Sequence, residues 1–237
     1  MTRMLASVAS LAEARLAASS GVDIIDLKNP QSGALGALSL QLVDTIAREL
    51  GGQSLLSATI GDLPMHPDSI ARAVEGMAAT GVRYVKLGFF PGGDWAGVIN
   101  NLARLTAQNI RLVAVFFADH PLTLDWLPTL ANAGFTGAML DTADKQRGPL
   151  TRIRDSAFLG DFVTSAREAG LISGLAGSLR AQDIEPLSRL QPDYLGFRGA
   201  LCGGSRTNAL DPDALHAIFT EIRSTRMSNN HSPDLPD

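Results

Sequence analysis

Short, unbroken apolar runs alternate with longer amphipathic ones along this 237-residue chain. The short runs, too brief for helices and rich in Val, Ile, Leu and Phe, read as strands buried on both faces. They fall at 4–8, 23–27, 54–59, 84–88, 111–117, 137–141, 171–176 and 194–197. Between them the apolar positions recur at helical spacing near 9–20, 39–50, 67–80, 94–107, 122–133, 159–170, 181–189 and 211–224. Asp94, the Pro67-Asp68 pair and the Asp211-Pro212 pair supply helix starts, because a carboxylate can accept the free amides of a first turn. Glycine precedes four of the strands (Gly21, Gly81, Gly134, Gly170), where a helix must end in a left-handed residue. Eight strand–helix units in this length predict an α/β fold, a single closed (β/α)8 TIM barrel spanning 1–224. Periodicity is lost after that point, and 225–237 is expected to be a disordered tail.

In such a barrel the strand C-termini share one face, where the βα loops build active sites. That face collects Asp26 and Lys28, Thr59 and Asp62, Lys86, Asp119-His120, Asp141 and Lys145, Gly177-Ser178, and Arg198-Gly199. The strand starts offer mainly Gly, Arg and ordinary caps.

Composition sharpens this picture at one point. Of 20 basic residues only Lys28, Lys86 and Lys145 are lysines, and the other 17 are arginines. A chain that meets its general need for positive charge with arginine keeps an amine where chemistry asks for one, since an amine can lose its proton and attack carbon. An arginine-favouring genome would explain the scarcity but not the positions. The net charge of −4 speaks against a nucleic-acid surface. No apolar run is long enough for a membrane span, and the N-terminal segment reads as a strand and helix, not a signal peptide. A cytoplasmic location and no membrane partner are expected; a homo-oligomer is compatible with the sequence. One cysteine, Cys202, and four scattered histidines leave no metal-ligand spacing. No GxGxxG follows a strand, so no dinucleotide site is indicated.

Asp26 and Lys28 are two apart on a strand and point the same way. If that way is inward, an acid and an amine share the barrel mouth, and Lys86 adds a second amine. Neighbouring ammonium groups disfavour each other's charging, which lowers a lysine pKa. The plainer alternative is a stabilising ion pair at the rim. Asp141 ends its strand in an apolar run and needs a partner; Lys145 either swings over the mouth or is an ordinary exposed lysine beside Asp144 and Arg147. Gly177, Ser178 and Gly199 lie in loops after the seventh and eighth strands, where backbone amides commonly bind phosphate in barrels of this kind. Arg198 is a phosphate ligand or the partner of a neighbouring carboxylate. Thr59 and Asp62 are expected to line a substrate pocket, unless they serve only a turn. His120 is a loop histidine that could reach substrate, and Cys202 is expected to be a small buried apolar side chain.

The ordered series IIDLKNPQSGALGA, SATIGD, YVKLG, MLDTADK, LAGS and GFRGALC resembles the (5-formylfuran-3-yl)methyl phosphate synthase family, from about residue 4 to 224. The resemblance implies a (β/α)8 enzyme that condenses two molecules of glyceraldehyde 3-phosphate without metal or cofactor, losing phosphate and water. The product is a furan precursor of a methanofuran- or methylofuran-type one-carbon carrier. It implies Lys28 as the Schiff-base lysine and Lys86 as proton acceptor, with Asp26, Asp141 and Lys145 completing the polar cluster and Ser178 and Gly199 in phosphate-binding loops. An iminium would acidify the neighbouring C–H, allowing phosphate elimination, enamine attack on the second aldehyde and ring closure. VFFADH at the fifth strand and the loop after Cys202 depart from the archaeal pattern. Two other readings stay open from the residues alone. One is a class I Schiff-base aldolase on another aldehyde phosphate; the other is a non-enzymatic barrel that binds a phosphorylated metabolite.

Overall fold

Eight parallel strands close on themselves in chain order: β1 (Arg3–Val8), β2 (Ile24–Leu27), β3 (Leu56–Thr59), β4 (Tyr84–Phe89), β5 (Leu112–Phe117), β6 (Gly137–Asp141), β7 (Ile172–Leu175) and β8 (Tyr194–Phe197). This computed structural model describes residues 1–228. The strands are buried almost throughout because the barrel interior takes one face and the helical ring the other. The helices are α1 (Leu11–Ser19), α2 (Leu40–Leu50), α3 (Pro67–Ala78), α4 (Trp95–Thr106), α5 (Trp126–Asn132), the one-turn α6 (Leu150–Ile153), α7 (Ser156–Glu168), α8 (Ala181–Arg189) and α9 (Pro212–Ser228). Among the described residues no helix is long and apolar enough to cross a membrane.

The strand–helix alternation expected from the sequence is therefore present, with four differences, one being that α5 begins at Trp126 and not near 122. The turn α6 is additional. Helix α7 starts earlier than 159 because Asp155 accepts the Phe158 amide at 2.8 Å. Helix α9 runs past 224 to Ser228, so 225–228 is not tail; residues 229–237 lie outside the described part. Asp94 and Asp211 cap α4 and α9 as expected. Gly21, Gly81, Gly134 and Gly170 all take positive φ.

Register decides which side chains enter the barrel. In parallel sheets paired residues point the same way, and the pairings Leu5↔Ile24, Ser7↔Asp26, Asp26↔Ser57, Lys86↔Val113, Phe117↔Asp141 and Gly174↔Tyr194 define the inward set. The lower interior is apolar, with Leu5, Ile24, Val113, Val115, Met139 and Tyr194 in one buried cluster. Above it the inward positions turn polar. Part of the mouth is filled: the loop after β2 folds inward and adds Ala34 and Leu35 to this cluster, against Phe117 and Phe90, whose rings lie 4.5 Å apart. The open part of the mouth is displaced toward β6, β7, β8, β1 and β2.

Inward glycines make room for larger neighbours. A Cβ on Gly174 would overlap the ring of Tyr194. We therefore expect Gly174→Ala to destabilise the fold by about 1–3 kcal/mol through overpacking. Urea denaturation monitored by circular dichroism would measure it, and an unchanged midpoint would refute this packing account.

Candidate active site

The amines and carboxylates at the strand ends converge. Asp26 on β2 is fully buried, and the Lys86 ammonium from β4, itself 2% exposed, lies 2.9 Å from its Oδ1. Ser57 Oγ donates to Asp26 Oδ1 at 2.7 Å and Ser7 Oγ to Oδ2 at 3.1 Å. Asp26 is thus held by two hydroxyls and an ammonium. Burial alone would raise its pKa, but attraction to Lys86 and Lys28 and the Ser57 bond outweigh that and hold it below the ordinary value.

A second group sits one layer higher. Lys28, immediately past β2, is 3.9 Å from Asp141 Oδ2. Lys145, in a single 3-10 turn after β6, reaches back to Asp141 Oδ1 at 2.6 Å and also donates to the Thr142 carbonyl. It is not an ordinary exposed lysine beside Asp144 and Arg147. Burial would raise the Asp141 pKa; attraction to Lys145 and Lys28, with bonds from Lys145 and the Thr142 amide, overcomes this and lowers it to about 2.

Lys28 is the amine whose titration is most altered. Burial is the main cause and pulls its pKa down; Asp141 and Asp26 oppose that, Lys145 and Lys86 add to it, and the result is about 8. Mutual repulsion between lysines, expected from the sequence to drive the shift, is here the smaller contribution. At pH 7 about a tenth of such a lysine is neutral, against about one part in three thousand for an ordinary one.

These groups line a cavity of about 540 Å³ that extends over Gly177, Ser178 and Gly199. Ser178 takes a left-handed φ of 50° after Gly177 at 111°. The amides of Ser178, Leu179, Gly199 and Ala200 have no protein acceptor among the described residues. Free amides of this kind can serve as an anion cradle. Among the described residues no three His, Cys, Asp or Glu side chains are grouped to hold a metal ion.

Three expected ligands are corrected by the structure. Thr59 is fully buried and donates to the Gly36 carbonyl at 3.0 Å, so it ties down the loop after β2. Asp62 accepts from the amides of Ala34 and Leu35 at 2.7 and 2.8 Å, shaping that same loop instead of lining the cavity. Arg198 borders the cavity but is not a free phosphate ligand. Its five N–H groups are used by the carbonyls of Ser7, Arg206 and Asn208 and by both oxygens of buried Glu13. Asp119 likewise accepts from the amides of Ala143 and Asp144. His120 packs edge-on against Phe117, and Cys202 is buried, 2% exposed.

Sequence reasoning missed Ser7, Ser57, Glu13 and Arg206. Ser7 and Ser57 carried a usable signal, each being a hydroxyl in the C-terminal half of an apolar strand. Glu13 looked like an ordinary first-turn acid, and Arg206 lies too far beyond β8 to be placed by periodicity.

A closed parallel barrel with its charged groups gathered at the strand C-termini places the chain among the (β/α)8 proteins built as enzymes are. Solved structures agree on the fold: phosphoribosyl anthranilate isomerase from Thermus thermophilus superposes with a TM-score of 0.64 at 16% identity, covering 94% of this chain and 99% of that one. A 3-hexulose-6-phosphate synthase does so with a TM-score of 0.60 at 15% identity, covering 94% and 99%. The family model of 4-HFC-P synthase matches residues 4–219. A Methylorubrum extorquens protein provisionally assigned as (5-formylfuran-3-yl)methyl phosphate synthase is 44% identical over 88% of this chain and 86% of its own length. The (5-formylfuran-3-yl)methyl phosphate synthases of Methanocaldococcus jannaschii and Methanosarcina acetivorans are 35% and 31% identical, over 86% and 93% of this chain and 92% and 99% of theirs. The chain belongs to this synthase family, and it is an enzyme.

The electrostatic account of Lys28 makes a directional prediction. Competitive acetylation at rising pH, read by peptide mass spectrometry, should give Lys28 a midpoint near 8. Asp141→Asn removes the strongest influence opposing the shift and should move that midpoint lower. A midpoint near the ordinary lysine value in the unsubstituted enzyme would contradict the burial argument.

Proposed function

We propose that this enzyme makes (5-formylfuran-3-yl)methyl phosphate from two molecules of glyceraldehyde 3-phosphate through a Schiff base on Lys28. The observation that carries the reading is Lys28 itself. It is a buried amine with a pKa lowered to about 8, between two carboxylates and beside an anion cradle. The names of its relatives supply the product, and the chemistry of the site supplies the route.

Neutral Lys28 adds to the aldehyde of the first triose. Loss of water gives the iminium, with protons relayed through the adjacent carboxylate of Asp141. The iminium draws electrons from C2, and Lys86, held by Asp26, is the amine assigned to take the C2 proton. The electron pair left at C2 expels phosphate from C3, with cleavage of the C3–O bond.

The carbon skeleton of the product constrains the later bond-forming steps. Formyl carbon, ring C5 and ring C4 come from the first triose; the phosphorylated methylene, ring C3 and ring C2 come from the second. The new bond joins the terminal carbon of the first to the middle carbon of the second, not to its aldehyde carbon. The second triose must therefore also surrender its C2 proton, because ring C3 bears none. Ring closure through oxygen and dehydration complete the furan. Atoms balance: two triose phosphates give one furan phosphate, one phosphate and two waters.

Arginine preserves charge but cannot form an imine or accept a proton near neutrality. Lys28→Arg should abolish furan formation, and Lys86→Arg should lower kcat by about 10²- to 10⁴-fold. Borohydride added with glyceraldehyde 3-phosphate should leave a reduced adduct on Lys28, located by peptide mapping, while near-ultraviolet absorbance and phosphate release report the product. An active Lys28→Arg enzyme would end the imine mechanism. Phosphate-free, reversible aldol product from the unsubstituted enzyme would indicate an aldolase.

A further inference from the structure

The cavity wall carries more positive charge than its carboxylates can match. Lys86 pairs with Asp26, and Lys145 and Lys28 share Asp141. Arg198 pairs with Glu13 at 2.5 Å. Arg206, half-buried in the same wall, has no carboxylate within ion-pair distance among the described residues. Its single side-chain hydrogen bond runs from Nη2 to the Gly33 carbonyl at 2.6 Å, which leaves most of the guanidinium fork unused.

This placement is built, not incidental. Arg198, fixed by Glu13, donates to the backbone carbonyls of Arg206 and Asn208, each at 2.8 Å. The buried ion pair thereby fastens the loop after β8 from below, while Gly33, in the loop after β2, holds the guanidinium from across the mouth. Arg206 thus bridges the two loops at the cavity that Lys28 also lines. Asp141 and Asp62 attract this partly desolvated guanidinium from beyond ion-pair distance, so most of its planar fork, which matches the oxygens of a phosphate, stays free for a ligand. The amide cradle of the loops after β7 and β8 can take one phosphate, whereas a reaction that joins two triose phosphates has two to place.

We propose that Arg206 forms a second phosphate subsite, distinct from the amide cradle at Ser178 and Gly199, that receives the phosphate of the second triose. The subsite itself stands on the geometry; assigning it to a second triose rests on the furan synthase reading. The enzyme then holds both substrates at once, one through backbone amides and one through a side chain.

Glycerol 3-phosphate, which has no carbonyl and cannot react, is the probe. Equilibrium titration of the unsubstituted enzyme should show two equivalents bound per chain. Arg206→Met should bind one equivalent with an unchanged melting temperature; Arg206→Lys, which keeps the charge but loses the fork, should keep two with the second weakened several-fold. With glyceraldehyde 3-phosphate, Arg206→Met should raise KM more than tenfold while the borohydride adduct on Lys28 forms in undiminished yield. One equivalent in the unsubstituted enzyme, or two in Arg206→Met, overturns the proposal. So does loss of the Lys28 adduct in Arg206→Met, which would make Arg206 a ligand of the first triose. Two equivalents without any furan product would sink the synthase reading and leave the subsite standing; furan formation with one equivalent would do the reverse.

Discussion

The burial of Lys86 against Asp26 is the constraint around which the rest of the barrel is arranged. Moving an ammonium and a carboxylate out of water costs several kcal/mol for each ion, and their attraction offsets this only if the remaining lone pairs are also met. Both hydroxyls that meet them come from inward positions of the strands flanking β2: Ser7 on β1 and Ser57 on β3. Lys86 must also cross β3 to reach Asp26, and the small side chain of Ser57 keeps that path open. Below this layer the interior is apolar and closed by Tyr194; above it the cavity begins. The pair therefore marks the floor of the site. With its oxygens engaged from below and beside, Asp26 can act on Lys28 only through space.

The upper layer answers to a different balance. Lys28 has less carboxylate to itself than Lys86 has, because Asp141 is shared with Lys145 and lies farther from Lys28 than from Lys145. Burial then dominates its titration. With no carboxylate of its own in close contact, Lys28 is held in the charged form less firmly. The looser 3.9 Å contact leaves it able to become neutral near physiological pH while a proton carrier stays at hand.

Much of this was legible in the sequence because strands impose a two-residue period and barrels give all strand ends to one face. Asp26, Lys28, Lys86 and Asp141 lie within a strand or one residue past it, where that period still determines direction. Asp62 shows where it fails, whereas Thr59, still within β3, is taken by the Gly36 carbonyl. Asp62 lies three residues past β3, where the chain has turned, and both its oxygens are taken by the amides of Ala34 and Leu35. Asp119 does the same for the loop after β6. Carboxylates of one type, all at the mouth, divide by what lies within reach: amines for those still in the strand, backbone amides for those beyond it. Arg198 obeys a related logic, since the turn after β8 brings five acceptors around its fork before any ligand can. Nothing in the local sequence announces that Glu13, near the start of the chain, will be one of them.

The scarcity of lysine gains a physical sense from these partners. Where only a positive charge is needed near the site, the chain uses arginine, as at Arg198 and Arg206, because a guanidinium is in general the side chain that does not exchange its proton. Where a proton or a covalent bond must come and go, it uses an amine. Under the proposed mechanism, Lys28 and Lys86 fall on the amine side of that division. Lys145 fits through its effect on the other two, because by holding Asp141 it weakens the claim of that carboxylate on Lys28. An arginine there would draw Asp141 with a broader, bidentate grip and a bulkier head in a space lined by Gly148 and Thr142. The three amines are thus one electrostatic unit. Burial lowers the pKa of Lys28, and Asp141 and Asp26 limit the fall while the other two amines add to it.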